Sequence, residues 1–301
     1  MLADNDPSRA AAGVAMACRS PSGRLSAVGL LECTFLIVLS LSLPACDRPK
    51  VEKKAPAIAT TTSYLEAATT DVAGDEVRII RLAEPGTCPG HFDIRPSQVQ
   101  ELRQCRVLLR FDFQKSLDEL LTSSKTNGPR VAEVAISGGM CQPQAYLTAC
   151  GQVAEALIGV DLLDRTTAQK RLEQIGSRLD QLSRQATNQI AQAGLWGAPV
   201  IASRHQKEFC EWLGLNVVAS FRPADTASVG EIQEAIGAGK VRQVNLVIAN
   251  LPEGRRTADA LAERLKAKTV VLENFPNVHR GKISFDQMLA ANVQRLLGES
   301  R

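Results

Sequence analysis

The sequence predicts an α/β protein of two lobes, each a parallel sheet flanked by helices, joined by one long helix. Short apolar segments alternate with amphipathic ones in both halves of the chain, which is typical of parallel sheets covered by helices. Between the halves, residues 164–193 contain no proline and one glycine. Leu172, Ile175, Leu179 and Leu182 are spaced there for one face of a helix. A helix of about 30 residues would span roughly 45 Å.

The composition is that of a soluble globular protein with about two domains. The chain has 301 residues, of which 45% are hydrophobic and 22% charged, and a domain usually has roughly 150 residues. The formal net charge is +3 with both signs well mixed, and only 4% of residues are aromatic. Because nucleic-acid-binding proteins need a clustered basic surface, we expect no nucleic-acid partner.

The N-terminus is typical of an exported lipoprotein. Two arginines precede the apolar run 34–43, which leads into Leu-Pro-Ala-Cys46. The run is short for a bilayer span, so it predicts a secretory signal at residues 1–45 and a periplasmic or cell-surface location. The Leu-x-Ala-Cys ending resembles a bacterial lipobox, which implies a membrane anchor through lipid on Cys46. An uncleaved transmembrane anchor is the alternative, and Met16 could be the true start.

The remainder divides into a tether, two lobes and the long helix. Residues 46–75 are rich in Lys, Ala, Thr and Asp without a sustained period, which predicts a flexible tether. The N-terminal lobe is predicted at 76–163, the linker helix at 164–193 and the C-terminal lobe at 194–301. The predicted strands are 76–82, 106–111, 131–136, 199–203, 217–221, 244–249 and 269–273. The predicted helices outside the linker are 96–104, 113–123, 146–158, 204–213, 229–238, 257–265 and 285–297.

Export also determines how the cysteines are interpreted. Five cysteines follow Cys46 in a compartment that permits disulfides, namely Cys88, Cys105, Cys141, Cys150 and Cys210. An odd number leaves at least one thiol without an intramolecular partner. Their pairing stays open, since Cys141 alone could pair with Cys88, Cys105 or Cys150. The chain has no CxxC pair, so neither a thioredoxin-like centre nor a paired-thiolate zinc site is predicted.

Four candidate metal ligands fall at the carboxyl ends of predicted strands, where open α/β sheets bind their ligands. His91 lies in a Pro- and Gly-rich loop after the first predicted strand, and Cys141 follows the third. His205 comes just after strand 199–203, and Glu273 ends the last strand. Imidazole, carboxylate and thiolate groups suit zinc, or manganese if the thiolate takes no part.

Each candidate ligand has an ordinary structural alternative. His91 and His205 could be solvated or hydrogen-bonded loop residues. Glu273 could receive a helix N-terminus or pair with an arginine, and Cys141 could be a disulfide partner or a small buried residue. Enzymatic chemistry is not predicted, because the sequence offers no placed nucleophile and base and no GxSxG or HExxH motif.

The combined pattern resembles the metal-binding solute-binding proteins of bacterial ABC importers for zinc and manganese. The resemblance covers about residues 75–298 and rests on three features. They are Pro-Gly-His91 followed by Pro-Ser, the long helix from Asp164, which resembles the family's rigid linker, and Ala-Ser-Arg-His205 followed by a Gly-Leu turn. It implies that Zn²⁺ or Mn²⁺ is the transported ligand, that Glu273 is the acidic ligand, and that an ABC permease receives the metal. We expect a monomer without catalytic activity.

One departure from that family concerns the second histidine. Where the family has His-x-Trp-x-Asp-Pro, this chain has Ser-Gly-Gly-Met-Cys-Gln-Pro143, and alignment on the proline places Gly138 at the histidine. Cys141 or Gln142 could substitute, water could complete a three-coordinate site, or the lobe could have lost part of its metal function. The rival prediction is a degenerate, lipid-anchored relative that binds an organic ligand or a partner protein without metal.

Overall fold

Two parallel sheets of four strands each form the framework of the molecule. The computed structural model describes residues 58–74, 77–85, 87, 94–118, 128–279 and 281–299 of the chain. In these residues the two sheets are flanked by helices, and a short antiparallel pair of strands accompanies them. The predicted fold class, two α/β lobes joined by a long helix, is confirmed.

The first lobe is built around a sheet with the strand order β2-β1-β3-β4. Its elements are β1 (Ile58–Thr60), α1 (Ser63–Ala73), β2 (Ile79–Arg81), α2 (Pro96–Leu102), β3 (Val107–Phe111), β4 (Arg130–Val134) and α3 (Pro143–Ile158). All neighbouring strands run parallel. The second strand lies on one side of β1 and the third strand lies on the other. At such a change of direction, the topology predicts a ligand-binding crevice at the carboxyl ends of β1 and β3.

The second lobe repeats this arrangement with the strand order β6-β5-β7-β8. The elements from the linker onward are α4 (Arg165–Gln192), β5 (Pro199–Ser203), α5 (Lys207–Trp212), β6 (Asn216–Phe221), α6 (Val229–Val241), β7 (Leu246–Asn250), α7 (Arg256–Leu265), β8 (Lys268–Leu272), β9 (Val278–His279), β10 (Lys282–Ile283) and α8 (Phe285–Glu299). Here the corresponding crevice lies at the carboxyl ends of β5 and β7, which are paired.

The long helix α4 forms where the sequence predicts it. Its 28 residues correspond to about 42 Å. The side chain of Asp164 caps its first turn by accepting a hydrogen bond from the backbone N–H of Thr167 at 2.8 Å. Ile175, Leu179 and Ile190 are among the residues it buries, so one face of the helix packs on the protein while the rest meets solvent.

An ion cluster attaches the middle of α4 to both lobes. The guanidinium of Arg178 donates to both carboxylate oxygens of Asp71 in α1, at 3.1 and 2.5 Å. Its Nε lies 3.2 Å from a carboxylate oxygen of Asp286 in α8. Tyr146 in α3 donates its hydroxyl to Asp71 at 2.8 Å. The helix is therefore held to helices of both lobes near its centre.

The two lobes share one hydrophobic core. A single cluster of buried side chains contains residues from both sheets and from α4. At its centre the rings of Tyr146 and Phe285 stack with their centroids 4.1 Å apart, and Tyr64 meets both rings edge-on. Such a shared core resists large movements of one lobe against the other.

The predicted tether is wrong over residues 58–74. Ile58–Thr60 is the buried strand β1, which pairs with both β2 and β3. α1 follows, and Thr62 caps it by accepting from the backbone N–H of Leu65. The loop that contains His91 therefore follows the second strand of the lobe rather than the first. Residues 46–57, including Cys46, lie outside the described residues.

Two further predictions, one helix and the apolar N-terminal run, fall partly or wholly outside the described residues. The predicted helix 113–123 begins with a 3-10 turn at Asp112–Gln114, and its second half lies outside the described part of the chain. Among the helices that the structure describes, none is long and apolar enough to cross a membrane. The apolar run 34–43 is not part of that set.

Candidate metal site

Three of the four predicted ligands can be placed in the structure. His205, Glu273 and Cys141 lie in described segments, whereas His91 lies outside them, as does Cys88. Each of the three placed residues follows the carboxyl end of a strand, as the sequence predicts.

His205 lies just beyond β5 and is paired with a carboxylate from the next strand of the sheet. Its Nδ1 is hydrogen-bonded to Oε1 of Glu253, which ends the 3-10 turn after β7. The His205 side chain is 61% exposed and that of Glu253 only 12%. Ser203 donates its hydroxyl to the other oxygen of Glu253 at 2.6 Å. The imidazole is therefore exposed to solvent, while the carboxylate that it contacts is largely buried and is held in place by Ser203.

This pairing shifts the pKa values of both side chains in the directions that favour an ion pair. The hydrogen bond that the imidazole donates to Glu253 raises the pKa of His205 above its ordinary value, against the opposing effect of burial. Burial alone would raise the pKa of Glu253, but the hydrogen bonds from His205 and Ser203 outweigh it and the pKa is lowered. The carboxylate thus remains charged beside the imidazole.

Glu273 is buried and paired with an arginine. The residue is 2% exposed, and one of its carboxylate oxygens accepts from Arg295 of α8 at 2.6 Å. Its backbone N–H donates to the side chain of Asn292 at 2.8 Å. The structure thus realises the arginine pairing that the sequence left open. A metal ion at Glu273 would have to compete with this guanidinium.

Cys141 is a buried thiol at the contact between the lobes. It is 0% exposed, and its Sγ donates to the backbone carbonyl of Glu273 at 3.0 Å. Burial raises its pKa far above the ordinary thiol value. A metal ligand must be a thiolate, which this environment disfavours. Cys105, Cys141, Cys150 and Cys210 are all free, so Cys141 pairs with neither Cys105 nor Cys150.

The three placed candidates do not form a metal site by themselves. Cys141 and Glu273 meet, but through the backbone carbonyl of Glu273 rather than its carboxylate. Within the described ranges, no group of three or more His, Cys, Asp or Glu side chains could hold a metal ion. A site with three His, Cys, Asp or Glu ligands would need at least one from outside these ranges, and His91 is the predicted one.

The segment that lacks the expected histidine is shaped for contact between the lobes. Gly138 has a φ of +90°, which favours glycine, and a Cβ there would lie 3.0 Å from Oε1 of Gln142. A Cβ at Gly139 would lie 3.2 Å from Cβ of Glu208 in α5. The amide nitrogen of Gln142 donates to the backbone carbonyl of Glu208 at 2.9 Å. Gly139 therefore permits close approach of the lobes, whereas Gly138 permits the positive φ of the segment.

Several residues of this region escape prediction from the sequence. The buried side chain of Gln206 donates to Asn250 at 3.1 Å and to the backbone carbonyl of Glu273 at 3.3 Å. Glu253 follows a predicted strand in a Leu-Pro-Glu turn, so the strand-end rule that selected His205 could also have found it. No local pattern connects Arg295 with Glu273, because they lie 22 residues apart on different elements.

Comparison with known proteins assigns the family. Residues 58–298 match the profile of the ZnuA family, described as zinc-uptake complex component A, periplasmic. The chain belongs to this family. ZnuA-family proteins are periplasmic solute-binding proteins and not enzymes, as predicted. No functionally curated protein matches the sequence.

Solved structures of periplasmic metal-binding proteins and of ZnuA share the fold at low sequence identity. A Mn-bound periplasmic metal-binding protein from Candidatus Liberibacter asiaticus has a TM-score of 0.68 and 11% identity, covering 82% of this chain and 100% of that chain. A Cd-bound structure of the same kind gives 0.67, with 12% identity and the same coverage. A crystal structure of ZnuA gives 0.66 with 15% identity, again covering 82% and 100%.

Proposed function

We propose that this protein captures a divalent transition-metal ion, zinc in preference to manganese, and delivers it to an ABC importer. Its membership of the periplasmic zinc-uptake family supports the class of function. The observation that supports the site is the His205 imidazole, which is exposed at a strand-end crevice and held by a carboxylate through Nδ1. Solved relatives of this fold include Mn-bound and Cd-bound proteins.

The proposed ligands are His91 and His205. Glu273 joins them only when Arg295 releases its carboxylate, and Cys141 joins only as a thiolate. Two imidazoles suit zinc, and water can fill remaining positions. Because the protein must release its cargo, a site with few protein ligands agrees with a transport function.

Metal analysis tests the proposal directly. The purified protein is stripped with chelator, reloaded with zinc or manganese, desalted and analysed for bound metal. We expect one equivalent of zinc in the wild type and none in His91→Ala/His205→Ala. His279→Ala, which removes the third histidine of the chain, is the matched control and should retain the metal. A wild-type protein that retains neither metal would contradict the proposal.

A second candidate function is that of a relative which no longer binds metal. The observation that favours it is the polar network of the lobe contact, where Glu273 is paired with Arg295 and the Cys141 thiol is hydrogen-bonded. Such a protein would bind an organic ligand or a partner protein instead. Absence of stoichiometric metal from the reloaded wild type is the outcome that supports it.

Lipid anchoring at Cys46 and a monomeric state complete the proposal. The lipobox resemblance supports the anchor, and the family's periplasmic location agrees with it. We expect the full chain in the membrane fraction of a bacterial host and Cys46→Ser in the soluble periplasmic fraction. Light scattering of the soluble variant should give the mass of one chain.

A further inference from the structure

The ring of hydrogen bonds around Glu253 determines which ring nitrogen of His205 carries the proton. The backbone N–H of His205 donates to Ser203 Oγ at 3.3 Å, and Ser203 Oγ donates to Glu253 Oε2 at 2.6 Å. The circuit closes through Glu253 Oε1 and His205 Nδ1. All three residues lie at the adjacent carboxyl ends of β5 and β7.

The chemistry of this circuit assigns the proton positions. A carboxylate can only accept hydrogen bonds, so Nδ1 must be the protonated nitrogen of the neutral imidazole. The lone pair then lies on Nε2, the other nitrogen of the ring. Within the described part of the chain, Nε2 has no hydrogen-bond partner.

Both carboxylate oxygens of Glu253 are occupied by this circuit. Oε1 accepts from the imidazole and Oε2 accepts from Ser203, and the side chain is only 12% exposed. Glu253 therefore acts on the imidazole and is poorly placed to bind a metal ion itself. Carboxylates that accept from the second nitrogen of a metal-binding histidine fix the tautomer and the ring orientation.

We propose that Glu253 is the positioning residue of the metal site, which holds His205 as the Nδ1–H tautomer with Nε2 presented to the metal, and that Ser203 orients Glu253. This inference rests on the proposed function, because it assigns a role to His205 as a ligand. It also makes a statement about the metal-free protein that does not depend on metal binding.

The tautomer is measured by nitrogen NMR on the metal-free full-length protein. The chain has three histidines, so selective ¹⁵N-histidine labelling gives a simple spectrum, and loss of one set of signals in His205→Asn assigns His205. Because the pKa of His205 is raised, the pH is increased until the ¹⁵N shifts stop changing, so that the imidazole is neutral. Under these conditions we expect a pyrrole-type shift for Nδ1 and a pyridine-type shift for Nε2. The reverse pattern would overturn the proposal.

Two variants separate positioning from folding. In Glu253→Gln the amide can donate as well as accept, so we expect a mixture of tautomers and a zinc affinity lower by about 10- to 100-fold. In Ser203→Ala the carboxylate loses one donor but still accepts from Nδ1, so the tautomer should persist and the affinity should fall less than in Glu253→Gln. Unchanged circular dichroism and melting temperature confirm that each variant is folded.

The outcomes distinguish this inference from the proposed function. A wild-type Nδ1–H tautomer that is lost in Glu253→Gln, with zinc affinity reduced, supports both. A tautomer that is unchanged in Glu253→Gln, or a zinc affinity that is unchanged, overturns the positioning role even if the wild type binds zinc. If the wild type binds no metal, the proposed function fails, and the positioning role in metal binding fails with it. The tautomer assignment is then still confirmed or refuted by the spectrum of the wild type.

Discussion

The buried thiols make the free energy of unfolding fall at alkaline pH. Burial raises the pKa of Cys105 to about 11 and raises that of Cys141 and Cys210 further. In the unfolded chain a thiol ionises near pH 8.5, while in the folded protein these thiols stay protonated. Their contribution to stability is therefore complete below about pH 8.5 and is lost as pH rises above it.

We expect the urea midpoint to fall steadily between about pH 8.5 and pH 10. Each fully buried thiol adds a slope of up to about 1.4 kcal/mol per pH unit to the free energy of unfolding. Cys210→Ala should give a shallower decline than the wild type, because one titrating group is removed. A midpoint that is constant over this range would show that the thiols ionise as readily in the folded protein as in the unfolded chain.

Also at the residue scale, Arg295 stabilises a buried carboxylate. Arg295→Met leaves Glu273 buried without its guanidinium partner, and since Arg295 is partly exposed we expect a loss of about 2–3 kcal/mol in unfolding free energy. Glu273→Gln is the matched control because it removes the charge and keeps the shape. In the double variant the losses should be less than additive by urea denaturation. Strict additivity would mean that the pair contributes no coupling energy.

At the element scale, two glycines of α6 have opposite requirements. A Cβ at Gly239 would lie 2.7 Å from Leu265 and 2.9 Å from Ile201, whereas one at Gly237 would meet nothing within 4 Å. We expect Gly237→Ala to stabilise the protein by about 0.5–1 kcal/mol, because alanine favours the helix. Gly239→Ala should destabilise it by about 1–2 kcal/mol through overpacking.

Thermal unfolding followed by circular dichroism compares these two variants directly. They lie in one helix and make the same chemical change, so differences in helix propensity cancel between them. Melting temperatures that shift in the same direction would contradict the tight packing of Gly239 in α6 against β5 and α7.

The sequence predicts elements well where an apolar period extends over several turns or a full strand. α4 and β5 are found within one residue of their predicted bounds, because each has a strong period and clear flanking signals. β1 is missed because three residues, Ile-Ala-Thr, are too short to show alternation. α1 is missed because four of its seven buried residues are serine, alanine or threonine, which resemble linker composition.

The sequence predicts the positions of His205, Glu273 and Cys141 beyond the ends of strands, but not the side chains that they contact. Glu253 and Arg295 lie 48 and 22 residues from the side chains they contact. Contacts at such separations depend on how strands and helices are arranged in three dimensions, and a single sequence contains no local pattern for them.

The two lobes are in extensive contact with each other. The shared core, the Arg178 ion cluster and the Gln142 hydrogen bond all join them. We therefore expect zinc to raise the melting temperature by binding to the folded state, without changing the radius of gyration. Thermal unfolding measures the melting temperature, and small-angle scattering of stripped and zinc-loaded protein measures the radius of gyration. His91→Ala/His205→Ala is the control for both. A resolved compaction on loading would mean that the lobes close around the ion.

The position of β1 has a mechanical consequence. This strand lies inside its sheet, bonded on both sides to parallel neighbours, and it is the first described element of the chain. A force applied to the residues ahead of Ile58 would pull β1 along its own axis, so its hydrogen bonds to β2 and β3 would be sheared together rather than opened one at a time. A pull from that end would therefore meet a strand loaded in shear on both of its sides.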